Sequence, residues 1–394
     1  MAQALQVRPE LSINERNRRY ATIRAGLRER GVGCAIVAGS NLFYLSNGIS
    51  GERFGLLPTE ELPVTVVVNG RHLADIPASV ITESQDWIED VRGANDPSPL
   101  IDRIKELRLE NAGIGLADRR LPLDIYKQIQ NAFPDAKLVD VSDMFANIRT
   151  CKSDEEVALI EQANRVFDAG IARMYERVRP GMTGKEAIQE GIIGMWAAGG
   201  DLESTIGFNF GAVPKQNPVL GDLCLTRRIA WGDIGTLTAH AHYAGYGGHS
   251  DQEISFGEPK PVHKEMFEAV LTVRDAVLNA VKPGATQRDL IEVYKKAAAE
   301  TGFKSSPHSQ IHQYGIDVPE FPGPAFRAAD PEGNGRGLGS GGNYALAPGM
   351  IYSISPTLVA PNGEDTLLGG TSLVVTENGY RELGERKVEL LVVA

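Results

Sequence analysis

Five of the seven histidines fall in two short stretches, and two carboxylates follow the first of them. His240, His242 and His249 lie in HAHYAGYGGH, His308 and His312 in PHSQIH, and Asp251 and Glu253 in GGHSDQEIS. An imidazole near its ordinary pKa both takes and returns a proton around neutrality, so this composition suits activating water and protonating a leaving amine. Alternation along a strand puts Asp251 and Glu253 on one face, and His240 and His242 on one face. A carboxylate pair so placed holds a cationic nitrogen, or shares a proton and divides the roles of acid and base.

These residues need a frame. The chain of 394 residues is long enough for two domains of common size. Residues 14 to 30 read as a charged helix, followed by the strand CAIVAG, a turn at SN, a strand LFYLS and the β-branched run PVTVVV. Strands interleaved with helices imply an α/β N-terminal domain over residues 1–150. Near FANIRTCKSDEEV a turn leads into a long helix, with Ser153 as N-cap and Glu156 as its reciprocal partner.

The second domain, residues 151–394, contains a repeat: ERVRPGMTGKEAI from Glu176 matches NAVKPGATQRDLI from Asn279. In each copy Pro-Gly stops one helix, and Thr183 or Thr286 caps the next with Glu186 or Asp289 at its third position. Strand-like segments between and after the helix pairs, among them IGFNFG, HAHYAGYGG, MIYSISPTL and GTSLVVTENG, imply an α+β body with two helix pairs over an antiparallel sheet and a central cleft.

With KSDEEVALIEQANRVFDAG after the first domain, the twin PGMT and PGAT turns, Gly232-Asp233, Gly245-Tyr246, GEP at Gly257, PGM at Pro348 and VVTENG, the chain resembles the creatinase/aminopeptidase P superfamily. That resemblance implies the pita-bread fold for the C-terminal domain. Peptidases of the superfamily hold two metal ions on two Asp, one His and two Glu. Carried over by position, those ligands fall at Thr238, His249, His312, Ser355 and Gly370, so one of the five types is kept. Two bridged cations need anionic oxygen that Thr, Ser and Gly do not supply.

The resemblance therefore implies a member closest in kind to metal-free creatinase, with no metal and no cofactor. A creatinase glutamate that binds the substrate guanidinium corresponds to Asp251. The creatinase catalytic histidine has no counterpart; the matching position is Gln216 or the pair Gly221-Asp222. The expectation is a metal-independent hydrolase of a non-peptide C–N bond in a small polar metabolite. His312, His249, Asp251 and Glu253 would be catalytic, and Thr238, Tyr246, Ser355, Arg53 and Arg327 would bind substrate. The alternatives are an eliminating lyase acting on a C–S, C–O or C–N bond, with or without one zinc or iron ion on His249, His312 and Asp251, and a non-enzymatic binding module. The resemblance also implies a homodimer in which the partner's first domain reaches the active site, bringing Arg53 to a substrate carboxylate.

The net charge of −11 argues against nucleic acid as a partner. Cys34, Cys151 and Cys224 are widely spaced and unpaired by motif, which fits a reducing cytoplasm better than a disulfide framework. No segment approaches the roughly 18 uninterrupted apolar residues of a membrane span, so no membrane partner is expected. GNGRGLGSGGN, from Gly333, lacks the Lys-Ser/Thr ending of a phosphate loop and reads as a loop over the cleft.

Overall fold

The structure, a computed structural model, describes every residue except 1–10, 50, 72–85, 119–120, 211–224, 307–309, 319, 321–325, 328–343, 362 and 364. The chain divides into two compact units, Met1–Arg149 and Thr150–Ala394.

In the first unit, Ser12 caps α1 (Ile13–Glu29) by accepting the Glu15 amide, one of the donors a helix start leaves unpaired. The chain continues through β1 (Cys34–Val37), α2 (Gly39–Ser46), β2 (Glu52–Pro58), β3 (Thr65–Val68), β4 (Asp90–Gly93), α3 (Ser98–Glu106), β5 (Ile114–Leu116), α4 (Leu123–Ala132), β6 (Leu138–Asp140) and α5 (Ser142–Thr150). The six strands form one mixed sheet in the order β4-β3-β2-β1-β5-β6. LFYLS, expected as a strand, belongs to helix α2 instead. The run is too short for its periodicity to separate the two states, and tertiary contacts decide: the Tyr44 carbonyl accepts from buried Arg19 at 2.8 Å and the Leu45 carbonyl from Tyr20 at 3.1 Å, both on α1.

The second unit begins with α6 (Asp154–Arg177) and α7 (Gly184–Ala197). It continues through β7 (Thr205–Phe210), β8 (Ile234–Tyr243), β9 (Tyr246–Phe256), α8 (Pro261–Ala280) and α9 (Gln287–Glu300). The remaining strands are β10 (Lys304–Ser305), β11 (Gln310–Gln313), β12 (Phe326–Arg327), β13 (Ile351–Ser355), β14 (Thr357–Val359), β15 (Thr366–Leu368), β16 (Thr371–Thr376), β17 (Gly379–Glu382) and β18 (Leu390–Val393).

Three of these helices begin with full capping boxes, Ser153 with Glu156, Thr183 with Glu186 and Thr286 with Asp289. Each box pairs two backbone donors that would otherwise lie open. The repeated helix pairs α6–α7 and α8–α9 each cover a sheet. The first pair packs Val166, Phe167, Ile171, Met174 and Met195 against Leu237, Ala239, Ala241 and Ile254 of the sheet β18-β9-β8-β7. The second packs Val270, Val273, Val277, Leu290, Ile291 and Tyr294 against Ile311, Tyr352, Ile354 and Leu373 of the sheet β12-β11-β13-β16-β17. Two helix pairs laid over two antiparallel-rich sheets are the α+β plan expected for the C-terminal domain.

Candidate active site

The site is built on the hairpin of β8 and β9. Ala244 and Gly245 turn the chain with φ of 51° and 79°, the left-handed pair that a two-residue hairpin requires. That turn sets the register, so Thr236 lies opposite Glu253, Thr238 opposite Asp251 and His240 opposite His249. Leu237, Ala239 and Ala241 enter the core below. Strand alternation therefore sends Thr236, Thr238, His240, His249, Asp251 and Glu253 to the other face.

The second sheet brings the rest. His312 pairs with Ser353, and Ser353 with Ser372. Ile311, Ile354 and Leu373 point into the helix-covered core, which leaves His312, Ser353, Ser355 and Ser372 on the face toward β9.

Three imidazoles meet where the sheets come together. The ring centroids of His240 and His249 are 4.6 Å apart, and those of His249 and His312 are 5.0 Å apart. His249 Nδ1 lies 3.0 Å from the Ala239 carbonyl, and His312 Nδ1 lies 3.2 Å from the Gln313 carbonyl. A carbonyl oxygen only accepts, so both Nδ1 atoms carry hydrogen, and in the neutral form of either ring the lone pair sits on Nε2. Burial, reinforced by His249 and His242, pushes the His240 imidazole down to about 3. Burial also lowers the pKa of His242.

Beside the imidazoles lies Asp251, 3% exposed. Its Oδ1 accepts from Thr238 Oγ1 at 2.6 Å and its Oδ2 from Ser355 Oγ at 2.6 Å. A Cβ added at Gly370 would stand 2.4 Å from Asp251 Oδ2. Thr238, Ser355 and Gly370, three of the positions at which the resemblance sets the superfamily's metal ligands, thus converge on one carboxylate: two give it hydroxyl hydrogens and the third gives it room. These residues do not fit a two-metal centre. Both hydroxyls are engaged as donors, the glycine has no side chain, and among the described residues no group of three or more His, Cys, Asp or Glu is arranged to hold a metal ion.

The other expected site residues are placed as follows. Glu253 lies on the same face as Asp251, but its Oε1 accepts from Thr236 Oγ1 at 2.6 Å and from the Leu368 amide at 2.9 Å, tying β9 to β15. Tyr246 is fully buried and turned toward α6, where its hydroxyl donates to Glu156 Oε1 at 3.1 Å. Arg53 is exposed at an irregularity in the pairing of β2 with β3, its guanidinium 5.9 Å from the Phe54 ring centroid. Arg327 is placed only through its backbone pairing with Gln310. His308, Gln216, Gly221, Asp222 and the loop from Gly333 lie outside the described residues.

Sequence reasoning did not single out Thr236, Ser353, Ser372 or Arg386. The first three follow from alternation once the strand partners of Glu253 and His312 are known. Arg386 carries no motif; only the folded chain brings it beneath Asp251.

Residues 19–151 match the creatinase/prolidase N-terminal domain and residues 158–381 match metallopeptidase family M24. Among curated proteins, the chain is 24% identical over 319 residues to an Xaa-Pro dipeptidase of Lactobacillus delbrueckii subsp. lactis, covering 78% of this chain and 81% of that protein. It is 25% identical over 400 residues to creatinase of a Bacillus species, covering 96% and 92%. Among solved structures, an Xaa-Pro dipeptidase from Bacillus anthracis superposes with a TM-score of 0.79 at 21% identity, covering 96% of this chain and 99% of that one. The expectation of a metal-independent, non-peptidase hydrolase of a C–N bond is corrected by these relatives: several are Xaa-Pro dipeptidases, and they point to peptide C–N hydrolysis. Ligand positions read one at a time weigh only local donors, whereas similarity along the whole chain reports the frame in which those donors act. With the M24 match covering more than half its length, the chain belongs to the metallopeptidase family M24 and joins that domain to a creatinase/prolidase N-terminal domain.

Proposed function

We propose that the chain is a hydrolase that cleaves the peptide C–N bond of a small, dipeptide-sized substrate. The observation that carries this reading is the contact of His240, His249 and His312 beside the buried Asp251 carboxylate, within an M24 domain. The Xaa-Pro dipeptidases among the relatives support the bond type.

In this reading His249 Nε2 takes a proton from water as the water oxygen bonds to the substrate carbonyl carbon. When the C–N bond of the tetrahedral intermediate breaks, the imidazolium returns that proton to the departing nitrogen. His312 flanks the same ring and orders the water. A carboxylate has about four lone-pair sites, and Thr238 and Ser355 occupy two of those on Asp251, so the others can accept from a cationic substrate amine. The reading includes a homodimer, to be checked by light scattering in solution.

The test is a panel of dipeptides, Xaa-Pro members included, with free amino acids quantified by chromatography. Cleavage of at least one member is expected, with His249→Ala lowering kcat/KM by about a hundredfold or more, the scale of a lost general base. A panel left intact, or near-normal turnover in that variant, overturns the assignment.

A further inference from the structure

The segment between β17 and β18 sends Arg386 beneath the strand that carries Asp251. The side chain is 13% exposed, and its guanidinium carbon lies 5.4 Å from the Phe167 ring centroid. Nη2 donates to the Asp251 carbonyl at 2.9 Å and to Ser250 Oγ at 3.3 Å. Nη1 donates to Gln252 Oε1 and to the Lys387 carbonyl. The guanidinium thus grips three consecutive residues of β9. Ser250 Oγ in turn donates to the Gly370 carbonyl at 3.2 Å, and Gly370 is the residue whose missing side chain makes room for the Asp251 carboxylate.

Burial opposes the charge on Arg386, while Asp168, Asp251 and Glu389 favour it. A guanidinium does not give up its proton in a protein, so a positive charge stays under the site. Asp168 shares that charge: its Oδ1 forms an ion pair with Nε at 3.6 Å and its Oδ2 accepts from the Arg386 amide at 3.2 Å, while both Nη atoms are given to β9.

We propose that Arg386 is the positioning residue of Asp251: it fixes the backbone that carries the carboxylate and balances that carboxylate's charge from the side away from substrate. The inference rests on the substrate-binding role given to Asp251 above. Arginine is required because a fork reaches a carbonyl, a hydroxyl and an amide oxygen together, which a lysine ammonium cannot do in one pose.

The experiment is a double-mutant cycle in the full-length protein with Arg386→Met, which keeps an unbranched apolar stem, and Asp251→Asn, which keeps the shape but removes the charge and turns one acceptor oxygen into a donor. In the native background Arg386→Met should raise KM about tenfold while kcat changes less than about threefold; in the Asp251→Asn background its effect on KM should fall below about twofold. The urea midpoint follows the same pattern, with the shift caused by Arg386→Met at least halved once the charge at Asp251 is gone. Equal shifts in both backgrounds overturn the proposal. Because the midpoints need no turnover, they decide the role of Arg386 even if no dipeptide is cleaved and the hydrolysis reading fails. Should Arg386→Met not fold, Arg386→Gln, which removes the charge but keeps a hydrogen-bonding end, takes its place in the same two backgrounds and must show the same loss of effect in the Asp251→Asn background.

Discussion

A glycine at position 370 is as informative as any side chain in the site. The space a Cβ would need is taken by Asp251 Oδ2, so Gly370→Ala forces the carboxylate away from Thr238 and Ser355. Overpacking of this kind costs about 1–3 kcal/mol, and the cost should largely vanish when Asp251→Gly is introduced beside it; urea denaturation of the two single variants and the pair measures both terms. His240 supplies a second residue-level prediction. Its folded-state pKa is depressed to about 3, so the unfolded chain binds the proton more readily. The stability it contributes is full above the unfolded value and declines as pH falls from about 6.5 toward 3. Between pH 7 and pH 5 the native protein should lose on the order of 2 kcal/mol that His240→Gln does not lose, as read from urea midpoints at each pH.

At the scale of elements, helix starts were open to sequence reasoning, and the convergence of the sheets was not. The Ser153, Thr183 and Thr286 boxes are local: a hydroxyl and an acid three residues apart meet whenever the helix forms. Thr183→Ala and Thr286→Ala should each destabilise the second unit by about 1 kcal/mol, measured by thermal or urea unfolding. The face shared by Asp251 and Glu253 was equally legible, since alternation needs no partner. What each carboxylate touches was not. Glu253 is occupied by Thr236 and the Leu368 amide, Asp251 by Thr238 and Ser355, and the backbone beneath Asp251 by Arg386; these contacts depend on how one sheet meets the other. Tyr246 shows the same limit. Its place after the hairpin turn was plain, but its hydroxyl goes to Glu156, the acid of the Ser153 box, so a residue read as facing substrate holds a helix start to the sheet.

For the whole molecule, the order of motifs along the chain was enough to identify the two-domain plan and the pita-bread fold, because turns such as PGMT and PGAT record the duplicated helix pair directly. The reaction was read less well. Replacement of ligand types at Thr238, Ser355 and Gly370 is a statement about donors, and from it the sequence argument moved to a different bond; the relatives, matched over most of the chain, correct the bond while leaving the altered donors in place. The same frame thus carries a carboxylate and hydroxyl cluster at positions where peptidases of the superfamily present metal ligands.

The last strand of the second unit has a consequence for synthesis in the cell. β18 runs parallel to β9, with Leu390 beside Glu253 and Val393 beside Phe256, and Arg386 grips the residues around Asp251 just before it. Strand β9 therefore lacks the second of its two sheet neighbours until residues 386–393 have been translated and have left the ribosome. Helices α6 and α7 precede both, so a chain stalled before residue 386 carries His240, His249, Asp251, His312 and Ser355 yet lacks the strand and the guanidinium that brace β9.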